Sequence, residues 1–386
     1  MNSPPSSWLP DREAALARAR AVSPQAYART RNHLDGAVTR LSPWITHGFV
    51  TLPEVLDLIR ARHRVCARDK LVFEFAWREY FQHAWRHLGD GILADRRAAP
   101  WSGPYAASMP EDVLGASTGV PVIDASVRSL YDTGYLHNHQ RMWLASYVVH
   151  LRKVHWRVGA DWMLAHLLDG DLASNHLSWQ WCAGTYTGKP YLFDAANVTR
   201  YAPSLASPGT ALERSYEALD RLARDGVDVG PERIRPEPVV PPALHALPPE
   251  VSSEAVMQRQ ATGRRVALVH PWSLRPQPGA DLVIGVIHAP FHAVRPWSAR
   301  RWAFVAAGME RVSSQLWIGD LAELRPALSD AASVDAEATL NPGYREGFAA
   351  LGARLRPAPR ITPDPDRLHA SFSAFWHAVS GALDAV

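Results

Sequence analysis

Between Thr133 and Trp181 the chain sets Asn138, Arg141, Asp169, Asp171, Asn175, Trp179 and Trp181 into segments that otherwise have the apolar spacing of buried helix. Asp and Asn are poor helix-interior residues, and a buried charge is costly unless it is paired. Carboxylates and amides just ahead of two tryptophans therefore read as groups that hold something bound. Metal fits that role badly. The run Asp169-Gly170-Asp171-Leu172-Ala173-Ser174-Asn175 lacks the third ligand, the correctly placed turn glycine and the terminal glutamate of a calcium loop. His137, His139 and His176 have the spacing of no zinc cluster.

The elements that must position these residues are helices. Apolar residues recur at three- and four-residue spacing over 53–60, 71–87, 122–131, 140–153 and 162–168, and Gly134 marks a helix C-terminus. Residues 1–205 are expected to form an all-helical domain. Residues 206–262 change character. After a short helix at 212–224, Pro236, Pro238, Pro241, Pro242, Pro248 and Pro249 crowd a stretch poor in aromatics, the pattern of an extended linker. Over 263–386 the short apolar runs at 266–269, 282–287 and 316–318 suit buried parallel strands, with helices expected at 300–312, 344–354 and 368–383. The fold class is thus mainly α, a helical domain followed by a small α/β domain. The α/β residues carry no GxGxxG or P-loop signature and are assigned no nucleotide. Behind a Pro-rich stretch, they read as a separable unit, dispensable for whatever the helical residues bind.

Composition bounds the rest. A chain of 386 residues, 47% hydrophobic and 20% charged, has the make-up of a soluble globular protein with room for two cores. It has no apolar run of about 18 residues, so no membrane span is expected. Its first fifteen residues lack the basic and apolar regions of a secretory signal. Two cysteines, Cys66 and Cys182, argue against a disulfide framework and for a cytoplasmic location. The net charge of +3 is too small to specify a nucleic-acid partner, although residues 1–200 hold 22 Lys+Arg against 18 Asp+Glu. Fifteen tryptophans, against eleven tyrosines and ten phenylalanines, are the anomaly. Trp85, Trp143 and Trp162 read as core fillers. That leaves Trp179 and Trp181, beside the carboxylates, to be explained.

Five short motifs stand in one order: Thr39-Arg40-Leu41-Ser42-Pro43, Glu74-Phe75-Ala76-Trp77-Arg78-Glu79, Thr118-Gly119-Val120-Pro121 running to Asp124-Ala125, His137-Asn138 with Arg141-Met142, and Asp169 through Trp181. Together, over roughly residues 25–195, they resemble the FAD-binding helical domain of the DNA photolyase/cryptochrome family. The resemblance implies a noncovalent FAD folded into a U inside the helical bundle. It places Tyr27 at the cofactor and Thr39, Arg40, Leu41 and Ser42 on its pyrophosphate, where a helix starting near Pro43 would offer free N–H groups. It also puts Arg78 near FAD, Asn138 and Asn175 near the redox-active ring nitrogen, and Asp171 at the ring edge. The resemblance also implies that Arg141 and Asp169 form a structural salt bridge. An Asn amide both donates and accepts, so it can follow protonation at that nitrogen.

Glu74, Trp77 and Arg78 share a helix face by their spacing. The resemblance turns Glu74 and Trp77 towards a pyrimidine dimer flipped out of DNA, with Trp181 as the second stacking wall. Trp179, Trp156 and Trp101 align with the family's relay, which carries an electron from the surface to photoexcited FAD. Taken without the resemblance, residues 39–43 are an ordinary loop-to-helix junction, Glu74 and Arg78 a surface ion pair, and Trp101 a core anchor.

The chain departs from the family in three places. Most relatives carry an α/β antenna domain before the FAD domain, whereas here about 25 residues precede the match and α/β residues follow it. The run Val266–Pro276 resembles the opening strand of that antenna domain, so the α/β residues are either a transposed antenna-like domain or an unrelated one. His139-Gln140 replaces an Arg-containing pair after Asn138, and the stretch Pro190–Asn197 lacks an Arg that the family places near the flavin. Two functions follow from the resemblance. The first is a light-driven lyase, acting as a monomer, that repairs cyclobutane pyrimidine dimers in damaged DNA, carried by Glu74, Trp77 and Trp181. The second is a cryptochrome-like photoreceptor signalling to a protein partner, carried by the altered Asn197 segment and the displaced α/β domain. A second, antenna chromophore is left open.

Overall fold

The computed structural model describes residues 8–254, 256 and 258–384; the outermost residues of the expected 1–205 and 263–386 domains lie outside them. In chain order the helices are α1 (Arg12–Arg20), α2 (Pro24–Thr30), α3 (Ser42–Thr46), α4 (Leu52–Arg60), α5 (Lys70–Leu88), α6 (Glu111–Leu114), α7 (Pro121–Thr133), α8 (Asn138–Ser146), α9 (Trp156–His166), α10 (Leu172–Ala183), α11 (Ala195–Tyr201), α12 (Tyr216–Arg224), α13 (Gln258–Ala261), α14 (Ala289–Val294), α15 (Ala299–Glu310), α16 (Arg325–Leu328), α17 (Tyr344–Ala350), α18 (Phe372–Val379) and α19 (Gly381–Asp384). The strands are β1 (Leu244–His245), β2 (Arg265–Val269), β3 (Leu282–His288), β4 (Trp297–Ser298), β5 (Gln315–Gly319), β6 (Ser333–Glu337) and β7 (Arg354–Arg356). None of the described helices is long and apolar enough to cross a membrane.

The described residues gather into two compact units. One holds Gln25–Val38 and Phe81–Pro242; the other holds Trp8–Pro24, Thr39–Tyr80 and the chain from Ala243 onward. These are not the divisions expected at 205 and 263.

The helical unit is built on α7 to α10. Helix α7 starts on Pro121, whose missing N–H costs nothing there, and stops at Gly134, whose φ of 66° lets the chain turn left-handed. Ahead of it Asp124 accepts from the N–H and hydroxyl of Thr118 (2.8 and 2.7 Å) and from Gly119 N–H (2.9 Å), closing the Thr118–Val120 turn. Burial nevertheless holds the Asp124 carboxyl above the usual range. The single helix expected at 140–153 divides: α8 passes at Tyr147–Leu151 into a wider turn, in which Arg152 N–H reaches back five residues to Tyr147 O (3.0 Å). Trp143, Tyr147, Leu151, Trp156, Met163 and Trp179 form the dry centre of this unit.

The Pro-rich stretch up to Pro242 is no free linker. Val229 N–H donates to Leu151 O (3.0 Å), Glu232 N–H to Thr118 O (2.7 Å) and Val239 N–H to Gly115 O (2.7 Å), while Arg128 donates to Glu237 O (2.7 Å). Extended backbone rich in proline has few internal partners, so its remaining N–H and C=O groups bond to the helices it lies along.

In the second unit β2 lies at the centre of a five-stranded parallel sheet of order β5-β3-β2-β6-β7. The runs at 266–269, 282–287 and 316–318 are strands as expected. Strands β6 and β7 escaped notice because they are polar: Asp335 on one pairs with Arg354 on the other at 2.6 Å. The helix expected at 344–354 ends at Ala350, and Gly352, at φ +67°, turns the chain into edge strand β7. The helix expected at 368–383 is likewise two, α18 and α19.

The α/β residues share a core with residues 39–80, which corrects the expectation of a separable domain. His47 Nδ1 donates to Pro271 O (2.6 Å) and Leu274 N–H to His47 O (2.9 Å). A Cβ on Gly48 would lie 2.4 Å from Trp272 O, and one on Gly308 would lie 2.3 Å from the Phe49 ring. Glu79, buried and held above the usual carboxyl range by that burial, pairs with Arg360 (3.1 Å) and accepts from Thr362 Oγ1 (3.0 Å).

Candidate functional site

The residues expected at the cofactor, the electron relay and the substrate fall in both units. Tyr27, Asn138, Arg141, Asp169, Asp171, Asn175 and the four tryptophans Trp101, Trp156, Trp179 and Trp181 belong to the helical unit. Thr39, Arg40, Leu41, Ser42, Glu74, Trp77 and Arg78 belong to the other.

In the helical unit Arg141 Nη2 meets Asp169 Oδ2 at 2.7 Å and its Nε donates to Leu136 O at 3.0 Å, so the expected salt bridge is formed. Asp171 is the N-cap of α10: Oδ1 accepts Ser174 N–H (2.8 Å), and Oδ2 accepts Gln82 Nε2 (2.8 Å). Asn138 is exposed at the first turn of α8, its Nδ2 3.3 Å from Met142 Sδ. Tyr27 lies half-buried in α2.

Helix α10 carries the most informative side chains. The Asn175 amide faces Ala160 O at 2.8 Å. A carbonyl can only accept, so the atom facing it is Nδ2 and the free end is the acceptor Oδ1. Among the described residues nothing donates to that oxygen. The buried Ser174 Oγ and Trp179 Nε1 have no hydrogen-bond partner either. Buried polar atoms are nearly always satisfied, and two such atoms on one helix, beside an amide oxygen that no described residue donates to, call for a partner outside the chain. A flavin ring, with N–H donors and carbonyl and ring-nitrogen acceptors, has the complementary chemistry, so the residues present fit it.

Trp179 is 2% exposed and packs onto Gly159 of α9, where any Cβ would come within 2.3 Å of its ring. Trp156, equally buried, donates Nε1–H to Asp95 Oδ1 (2.5 Å) and lies edge-on to His176 at 6.0 Å. His176 in turn meets Asp161 at 2.9 Å. Trp101 is half-buried against Tyr105 (4.8 Å), with the Lys153 ammonium 5.7 Å from its ring. Trp181 is 37% exposed, tilted against Tyr191 at 5.5 Å.

In the second unit Arg40 takes a left-handed φ of 52°, a strained conformation for a non-glycine, and turns the chain into α3 behind Leu41. Arg18 Nε donates to Thr39 O (2.9 Å), fixing the approach, and Ser42 opens the helix. On α5, Arg78 Nη1 donates to Thr46 Oγ1 (3.2 Å), one turn beyond the half-buried Glu74. Trp77 stacks flat on Phe372 of α18, centroids 4.0 Å apart and planes 9° apart.

Gln82, Asp95 and Phe372 were invisible to sequence reasoning. Asp95 and Trp156 are 61 residues apart, and no local pattern links an exposed Asp to a buried indole.

Residues 71–222 match the family model of the FAD-binding domain of DNA photolyase. Among curated proteins, a cryptochrome DASH of Natronomonas pharaonis is 33% identical over 55% of this chain and 49% of that protein. A deoxyribodipyrimidine photo-lyase of Streptomyces griseus is 34% identical over 53% and 46%. The chain thus spans about half the length of these relatives. A solved cryptochrome of Synechocystis sp. is 22% identical, with a TM-score of 0.46 over 58% of this chain and 53% of that one. Over the region that holds most of the five motifs, the chain is thus similar to the FAD-binding domain of the DNA photolyase/cryptochrome family.

Proposed function

We propose that the protein is an FAD-dependent, blue-light-driven flavoprotein that repairs cyclobutane pyrimidine dimers in DNA by electron transfer. The observation that carries the flavin reading is α10, where among the described residues the buried Ser174 Oγ and Trp179 Nε1 have no hydrogen-bond partner and the Asn175 amide turns its oxygen away from Ala160 O. FAD, when bound, supplies the light-driven one-electron chemistry. The Asn175 oxygen, fixed by Ala160 O, is set to accept from a ring N–H. Within the helical unit Asn138 and Asp171 would hold more of the cofactor, Arg141 and Asp169 bracing the loop before α10. Trp181, partly exposed, offers a ring on which a flipped base can stack, and base–aromatic stacking contributes roughly 1–3 kcal/mol per base. The parallel sheet that begins at β2 supports reading the α/β residues as an antenna-like domain that follows the helical ones.

One observation favours a photoreceptor instead: the ring of Trp77, expected to face the dimer, is stacked on Phe372. The experiment measures dimer loss under blue light with prereduced protein, on single- and double-stranded substrates, beside Glu74→Gln and Trp181→Ala. Repair by wild type, impaired in both variants with FAD retained, supports the lyase. Wild type that holds FAD and repairs neither substrate leaves the photoreceptor. A folded, colourless protein that takes up no FAD ends both.

A further inference from the structure

Three tryptophans of the expected relay have three different surroundings. Among the described residues Trp179 Nε1 has no acceptor, and Trp101 lies under the Lys153 ammonium at 5.7 Å, which disfavours positive charge on that ring. Trp156 instead donates its Nε1–H to a carboxylate, Asp95 Oδ1, at 2.5 Å. Trp156 is 2% exposed while Asp95 is exposed, so one hydrogen bond joins a buried indole to solvent. Among the described residues no cation pairs with Asp95, which leaves its charge to act on the indole.

We propose that Asp95 is the proton acceptor of the relay, taking the Nε1 proton as Trp156 is oxidised. This rests on the relay reading of Trp179 and Trp156, with light-excited oxidised flavin as the initiating oxidant. Trp156 gives one electron to the oxidised Trp179 ring and its Nε1 proton to an Asp95 oxygen. What remains is a neutral indolyl radical beside a carboxylic acid, which passes its proton to water. An indole that has lost an electron is a far stronger acid than a neutral indole, so the transfer follows oxidation. The proton's departure removes the positive charge that would draw the electron back. The Lys153 ammonium beside Trp101 acts in the same direction, holding the oxidised site at Trp156.

The test uses the full chain and three variants, Asp95→Asn, Asp95→Glu and Trp156→Phe. With indole-15N tryptophan, the resonance that Trp156→Phe deletes should lie downfield in wild type, move upfield in Asp95→Asn and return in Asp95→Glu. This reads the hydrogen bond without light or flavin turnover. In transient absorption, wild type should form a neutral indolyl radical with a solvent deuterium isotope effect. Asp95→Asn should keep the indole radical cation and recombine about tenfold faster, the scale of exchanging a charge-assisted for a neutral hydrogen bond, and lose the isotope effect. Asp95→Glu should restore both. Wild-type radical kinetics in Asp95→Asn, with Trp156→Phe impaired, overturns the role of Asp95 and leaves the relay standing. Wild-type photoreduction in Trp156→Phe removes the relay itself, and the proposal with it.

Discussion

Helix α10 in one unit, and the carboxyl ends of β2, β3 and β6 in the other, are both places where folds of these kinds hold ligands, and they are furnished in opposite ways. In an open parallel sheet ligands bind beyond the strand ends, where the connections change direction, which here lies between β2 and β6. That place is filled by the protein's own rings. His270 follows β2 and meets Glu337 O at 3.0 Å; Tyr344 and Phe348 are fully buried beside it, with Trp272 edge-on to Tyr344 at 5.1 Å. His292 stacks parallel to Trp272 and edge-on to Trp297 at 4.4 Å. One nitrogen there, His292 Nδ1, lacks a partner, but burial among rings and the nearby Arg301 keep that imidazole neutral. On α10, among the described residues, the buried orphans are instead a hydroxyl and an indole N–H, with the Asn175 amide oxygen turned away from Ala160 O. The architecture offers a crevice; the side chains decide whether it stays one.

Removing the α/β residues should have the largest effect. Truncation at Pro249 strips residues 39–80 of Trp272, Phe304 and Phe372, and the fragment is expected to aggregate or to lack cooperative unfolding. A soluble, cooperatively folding yellow fragment would show that the shared core is not needed.

Acid should weaken both units. Burial pushes His150 and His166 down to about 4 and His270 down to about 3, against about 6.5 when unfolded. The unfolded chain therefore takes up protons first as pH falls. Stability is full above about 6.5 and is lost as pH falls towards 4 in the helical unit and towards 3 in the other. Between pH 7 and 5 each such histidine accounts for about 2 kcal/mol. Glu79 and Asp124, whose carboxyls burial holds high, act in the opposite sense because the folded chain protonates them first. Urea midpoints should fall between pH 7 and 5; a flat profile would mean that these rings are hydrated.

Gly159→Ala should have a smaller effect, confined to the helical unit. The new methyl meets the Trp179 ring at 2.3 Å, and overpacking of this kind costs about 1–3 kcal/mol. A lowered melting temperature together with slower flavin photoreduction is expected. Lowered stability with unchanged photoreduction would separate Trp179 from the electron path.

The sequence by itself determined the helical periodicity, the ends of α7, three of the five strands of the parallel sheet and the Arg141–Asp169 pair. All of these rest on local spacing, residue chemistry or motif order. It missed β6 and β7, because polar strands paired through Asp335 and Arg354 carry no apolar run. It also misjudged the boundaries of the units, because a core is shared by contact and not by succession: Phe49 meets Phe304, and Trp77 meets Phe372, across hundreds of residues. Tertiary structure alone decided which end of the Asn175 amide is free, that Asp171 is occupied by a helix cap and Gln82, and that Trp156 has a carboxylate at its N–H. Each depends on the direction of a single atom towards a partner distant in the chain, which no spacing of residue types encodes.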